Sequence, residues 1–199
     1  MVRYRGPAQA FFGGSFDPVH NGHLHVARTV REETAYKTIL FVPNRANPLK
    51  DGGAVASAHH RYRMVLEAIR EMEWCAASSV EIDTPAPSYT VDTITALIER
   101  GELIERPGMI IGDDLLEQLP RWHDAAELLT RVVLILLRRE TGDSPAAPSD
   151  LPAGTITVQN KRCELSSTDI RRRLQLRKPI RGLVPEQVYE YIQRHHPYQ

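Results

Sequence analysis

Residues 13–23, GGSFDPVHNGH, concentrate side chains suited to binding an anion. Gly13 and Gly14 have no Cβ, so a phosphate can approach the backbone closely there. Ser15 adds a hydroxyl donor, Pro18 stiffens the turn, and His20 and His23 stand three residues apart. One imidazole sits on a loop and the other in the first turn of a helix, where unpaired N–H groups and the helix dipole favour negative charge. The two rings can therefore meet one small anion from two sides. The chemistry implied is phosphate binding, but of an unusual kind: neither the dinucleotide fingerprint GxGxxG nor the P-loop GxxxxGK[ST] occurs in the chain. Two plainer readings fit the same spacing. The histidines can simply cap a helix or, with His25, ligate a metal, although no Cys, Asp or Glu lies at helical ligand spacing.

Such a cradle needs a strand to deliver the turn and a helix to follow it. Short apolar stretches alternate with helix-periodic ones along the chain, which predicts βα units and a mostly parallel α/β sheet. Strands are expected at Ala8–Gly13, Thr38–Pro43, Ser78–Asp83, Met109–Gly112, Arg131–Leu137 and Thr155–Gln159. Helices are expected at Gly22–Thr34, Ala58–Met72, Val91–Arg100, Asp124–Leu129, Thr168–Leu176 and Pro185–Gln193. Asn21 suits the N-cap of the first, and Pro185 the opening position of the last. Asn44–Ala56 is long for a βα connection, the kind of loop that carries function, and Glu140–Gly154 reads as a Pro- and Gly-rich excursion.

A chain of 199 residues predicts one domain, 1–199, with the helices at about 168–195 packed on it. Basic and acidic residues balance at 25 each, so no global field attracts nucleic acid or a membrane surface, and an anionic ligand must be held locally. The opening MVRYRGPAQAFFGG has no signal-peptide core, and the longest apolar run, Val132–Leu137, falls far short of the roughly 20 residues that span a bilayer. A soluble, cytoplasmic protein is expected. Cys75 and Cys163 are isolated and read as buried thiols in a reducing compartment.

GGSFDPVHNGHL resembles the GxFDPxHxGH signature of the nucleotidyltransferase α/β-phosphodiesterase superfamily, and LSSTDIRRRL, Leu165–Leu174, is similar to its ISSTxIR motif. The segments between and beyond them resemble nicotinate-nucleotide adenylyltransferases over nearly the whole chain: LFVPNRANPLK, PSYTVDTI, IIGDDLLEQLPRWHDAAELL and LVPEQVYEYI. The resemblance implies a Rossmann-like, doubly wound sheet with helices on both faces. It also implies transfer of AMP from ATP to nicotinate mononucleotide, releasing pyrophosphate and giving nicotinate adenine dinucleotide, a step of NAD biosynthesis. ATP would arrive with Mg²⁺ held mostly by phosphates and water, without a dedicated carboxylate cage. A homo-oligomer is compatible with this.

By that match His20 and His23 donate to the α- and β-phosphates, and Gly13, Gly14, Ser15 and Phe16 line the turn. Asp17 reads as a structural acid, because an ionised phosphate nucleophile needs no base. Ser166, Ser167 and Thr168 hold the β- and γ-phosphates and Arg171 the triphosphate tail. Lys50 supplies further charge beside both substrates. Asp114 lies near the ribose hydroxyls, and Tyr89, Thr90, Trp122 and Ser15 receive nicotinate mononucleotide. Leu49 stands where the family's PPHK segment has histidine, and His123 where many members have tyrosine. His59, His60, His195 and His196 read as surface residues. Alternatives stay open: nicotinamide mononucleotide or phosphopantetheine as acceptor, or a non-catalytic nucleotide-binding module.

Overall fold

The computed structural model describes residues 8–45, 54–85, 88–139, 151–160 and 165–199. Six strands, β1 (Gln9–Gly14), β2 (Thr38–Pro43), β3 (Cys75–Ala77), β4 (Gly108–Gly112), β5 (Val133–Arg139) and β6 (Ile156–Asn160), form one sheet in the order β3-β2-β1-β4-β5-β6. The order runs outward in both directions from the β1 and β4 pair, which defines a doubly wound sheet. The helices are α1 (Asn21–Glu33), α2 (Ala58–Ile69), α3 (Val80–Asp83), α4 (Thr90–Glu99), α5 (Asp113–Leu116), α6 (Ala125–Arg131), α7 (Ser167–Gln175) and α8 (Glu186–His195). No helix among the described residues is long and apolar enough to cross a membrane.

The chain gathers into two compact units. The first comprises Met1–Phe12, Val26–Leu40 and Tyr89–Cys163. Here β4 runs parallel to β1 with Ala10 opposite Gly108, β5 parallel to β4 with Ile110 opposite Ile135, and β6 parallel to β5 with Leu137 opposite Val158. Leu134, Ile135, Leu136 and Leu137 are all buried, the continuous apolar run of a strand covered on both faces. α6 extends to Arg131, whose guanidinium bonds Glu127 one turn earlier at 2.7 Å. Those two extra helical residues displace the start of β5 from the expected Arg131 to Val133.

The second unit comprises Gly13–His25, Phe41–Ser88 and Glu164–Gln199. α2 begins where Ser57 Oγ accepts from the His60 N–H, and it packs against α8. The strand expected at Ser78–Asp83 is replaced by the short β3 and the helical turn α3. Val80 and Ile82 alternate as in a strand, but Thr84 Oγ1 donates to Val80 O at 2.7 Å and Ser79 Oγ to Asp83 Oδ2 at 2.6 Å, and these local bonds close a turn. His60 is half-buried rather than a surface residue, its Nδ1 2.9 Å from Tyr191 Oη. Cys75 is buried and unbridged, whereas Cys163 lies outside the described residues.

Candidate active site

The turn after β1 owes its shape to three residues. Phe16 adopts φ +48°, a left-handed conformation that costs a β-substituted residue about 1–3 kcal/mol. Burial offsets it: the ring is 2% exposed and packs on Phe41 at 5.5 Å and edge-on to His23 at 5.0 Å. The same ring explains Gly14, where a Cβ would lie 3.1 Å from Phe16 Cζ. The Asp17–Pro18 peptide is cis. With its side chain in the core, Phe16 can meet a ligand only through its backbone.

α1 starts at Asn21, one residue earlier than the capping pattern predicts, and Asn21 is not the cap. Its Nδ2 donates to Gly182 O at 2.8 Å and its N–H to Leu183 O at 3.0 Å, tying the turn to the segment before α8. His20 precedes the helix instead. Its backbone N–H donates to His23 Nδ1 at 3.1 Å, a reach-back from the third helical position that satisfies a donor otherwise lost at a helix start. Only an unprotonated Nδ1 accepts, so the His23 ring proton lies on Nε2. The two imidazoles stack at 3.8 Å. His20 is 6% exposed with Nδ1 buried and without a partner among the described residues, and burial lowers its pKa from 6.5 to about 4. At neutral pH it is an uncharged ring that can donate one hydrogen bond.

α7 supplies the hydroxyls and a cation. Ser166 caps it, accepting from the Asp169 N–H at 3.1 Å, and Ser167 Oγ donates to Pro18 O at 3.0 Å, fixing the helix start to the turn. Arg171 Nη1 donates to Asp17 O at 2.7 Å and Nη2 to Thr168 Oγ1 at 3.2 Å. Gly13, Gly14, Ser15, His20, His23, Ser166, Ser167, Thr168 and Arg171 are thus all carried by the second unit. Lys50 and Leu49 fall outside the described residues.

Two residues that help hold this arrangement, Arg61 and Tyr198, carry no sequence signal of their own. Arg61, on α2, is 1% exposed, and its guanidinium donates to Ala56 O at 3.1 Å, Ser15 O at 2.6 Å, Asn44 Oδ1 at 3.3 Å and Arg45 O at 3.0 Å. It joins the β1 turn to both flanks of the 46–53 segment. Burial lowers its pKa, while the Asp17 carboxylate opposes the shift. Asp17 is 3% exposed and accepts from the N–H groups of Val55 at 2.8 Å and Ala56 at 3.1 Å and from Tyr198 Oη at 3.0 Å. It is a structural acid, as its place in the turn predicts. Burial, and then the Asp17 charge, push the Tyr198 phenol well above its usual range, so it remains a donor.

Of the described residues expected at the acceptor, Tyr89, Thr90 and Trp122 lie in the first unit and Ser15 in the second. Thr90 opens α4 after Tyr89, whose ring stacks on His123 at 4.1 Å. His123 Nε2 is 3.2 Å from Asp124 Oδ2. Trp122 ends a short 3-10 turn, Leu119–Arg121, and its Nε1–H is buried without a partner among the described residues. An orphaned buried donor costs about 1–3 kcal/mol, so it marks a place where a bound acceptor would be stabilising. Asp114, exposed on α5, folds its carboxylate over Gly112 where a Cβ would collide.

Comparison with known proteins places the chain in a family. The cytidylyltransferase-like family matches residues 11–173. A Bacillus subtilis nicotinate-nucleotide adenylyltransferase is 34% identical, covering 94% of this chain and 96% of its own. A Roseiflexus sp. (strain RS-1) protein named "Probable nicotinate-nucleotide adenylyltransferase" is 36% identical over 92% of this chain and 94% of its own. Among solved structures, Plasmodium falciparum nicotinic acid mononucleotide adenylyltransferase complexed with NaAD superposes with a TM-score of 0.74 at 20% identity, over 95% of this chain and 96% of that one. This last likeness establishes the fold.

Proposed function

The chain belongs to the cytidylyltransferase-like family and, within it, to the nicotinate-nucleotide adenylyltransferases, and we propose that the β1 turn and the start of α7 hold the ATP triphosphate while Tyr89, Thr90 and Trp122 receive nicotinate mononucleotide. The enzyme transfers AMP from ATP to nicotinate mononucleotide, producing nicotinate adenine dinucleotide and pyrophosphate in NAD biosynthesis. The acceptor phosphate attacks the α-phosphorus as the bond to the pyrophosphate oxygen breaks. That oxygen takes the electron pair, and no proton has to be removed from the nucleophile. The protein's work is to align two polyanions and stabilise charge in transit.

The observation that carries the assignment is the stacked pair at the start of α1. His23 presents Nε2–H because its Nδ1 is occupied by the His20 backbone, and His20 is held uncharged by burial. Two neutral donors can approach the same phosphate without repelling each other. Arg171 adds the permanent charge, and Lys50 is assigned to the same polyphosphate from its motif. The Trp122 indole, whose buried N–H has no partner among the described residues, supports the acceptor assignment.

Among the described residues no three His, Cys, Asp or Glu side chains gather to hold a metal ion, and the Asp17 oxygens are engaged by protein donors. We assign Mg²⁺ to the substrate as Mg-ATP, where it would offset phosphate charge. A reducing, cytoplasmic setting is part of the same proposal, and the burial of Cys75 is compatible with it.

The test is pyrophosphate release from Mg-ATP with either nicotinate or nicotinamide mononucleotide. Strong preference for the acid is expected. Equal rates would remove the carboxylate from the specificity argument, and no release with either would overturn the reaction.

A further inference from the structure

A buried carboxylate beneath a site for polyphosphate is electrostatically costly unless it is fully matched by donors. Asp17 meets that condition unusually. Oδ1 accepts two hydrogen bonds, from the Ala56 N–H and Tyr198 Oη, and Oδ2 accepts one, from the Val55 N–H. The adjacent cation, Arg171, does not close on the carboxylate. Its Nη1 stands 3.6 Å from Oδ2 and donates to the Asp17 carbonyl at 2.7 Å instead. A closed arginine–carboxylate pair would have N···O distances of about 2.7–2.9 Å, commonly two at once.

We propose that Tyr198 is a positioning residue for Arg171: by supplying the donor that completes Asp17, its hydroxyl keeps the arginine from collapsing into a buried ion pair and leaves it available to the polyphosphate. The proposal rests on the assignment of Arg171 to ATP. Tyr198 lies beyond α8, far along the chain from the turn it serves, and its hydroxyl also meets Met64 Sδ at 4.0 Å, so the ring is seated against α2. Without that hydroxyl, Oδ1 keeps a single donor, and Arg171, held to backbone and hydroxyl oxygens, is the group free to swing over. The arginine would then have to leave an ion pair before it could bind ATP.

The Tyr198→Phe variant preserves the ring and removes only the donor. It should weaken ATP by about three- to tenfold, the scale of one ordinary net hydrogen bond because the effect reaches ATP only through Arg171, and leave KM for nicotinate mononucleotide unchanged. The measurement is titration of a non-hydrolysable ATP analogue by calorimetry in four proteins: wild type, Tyr198→Phe, Arg171→Met and the double variant, with unfolding midpoints taken alongside. If Tyr198 acts through Arg171, Tyr198→Phe weakens the analogue in the wild-type background and has no further effect once Arg171 is methionine. Equal weakening in both backgrounds, unchanged affinity in both, or parallel loss of ATP and nicotinate mononucleotide binding with a lowered midpoint would each overturn the proposal. Binding is read directly, so the cycle stands apart from the turnover assay that tests the reaction itself.

Discussion

Acidification should destabilise this protein through one ring. The His20 pKa is 6.5 when exposed and about 4 in the fold, because burial leaves its charged form without water. Between those values the unfolded chain binds a proton that the folded chain does not, so folding stability rises with pH across this window. Stability is full above about pH 6.5 and is lost progressively as pH falls to about 4. At about 1.4 kcal/mol per tenfold in proton affinity, the full loss is about 3 kcal/mol. The perturbation that isolates it is His20→Asn, which keeps a polar side chain and removes the titration. Carboxylates titrate in the same range in both proteins and cancel in the difference. Urea unfolding of the pair at neutral pH and near pH 4 should show wild type losing about 3 kcal/mol relative to the variant. A difference unchanged by pH would mean that His20 is hydrated in the folded state. The account of an uncharged imidazole facing phosphate would then fail with it.

Replacing His23 by alanine should lower turnover by about two to three powers of ten, the cost of one donor aimed at developing charge, and near-normal turnover would remove His23 from catalysis. Arg61→Met strips donors from Ser15, Arg45 and Ala56 and leaves Asp17 less compensated. Denaturant unfolding should report a loss of about 3–5 kcal/mol, and a loss below about 1 kcal/mol would show that the guanidinium is not what braces the turn. Trp122→Ala should raise KM for nicotinate mononucleotide while ATP affinity holds, and equal loss of both would assign the indole to packing.

Much of the fold was legible because its signals are local. The apolar run Val133–Leu137 and the alternation of strands with helices report a parallel sheet without any long-range knowledge. The placement of β3 was not legible: Val80 and Ile82 have strand periodicity, and only the Ser79, Thr84 and backbone bonds choose the turn. The capping of α1 was misread for a related reason. Asn21 has the chemistry of an N-cap, but its bonds to Gly182 O and Leu183 O, some 160 residues on, hold it inside the first turn, and His20 with His23 stands at the helix start.

The residue types of the site were written into two short segments, Gly13–His23 and Ser166–Arg171, because phosphate chemistry restricts which side chains serve and a turn restricts their spacing. The sequence alone therefore names the groups proposed to face the substrate. Tertiary structure decided their state. That His20 is uncharged, that His23 carries its proton on Nε2, and that Asp17 is matched by Val55, Ala56 and Tyr198 all follow from burial and from partners distant in sequence. Arg61 shows the division most sharply: in the sequence it is one more arginine on a helix, and in the fold it is a fully desolvated cation whose donors all end on the loops around the turn. Desolvation and donor saturation depend on everything that surrounds a group, and local spacing carries no record of that.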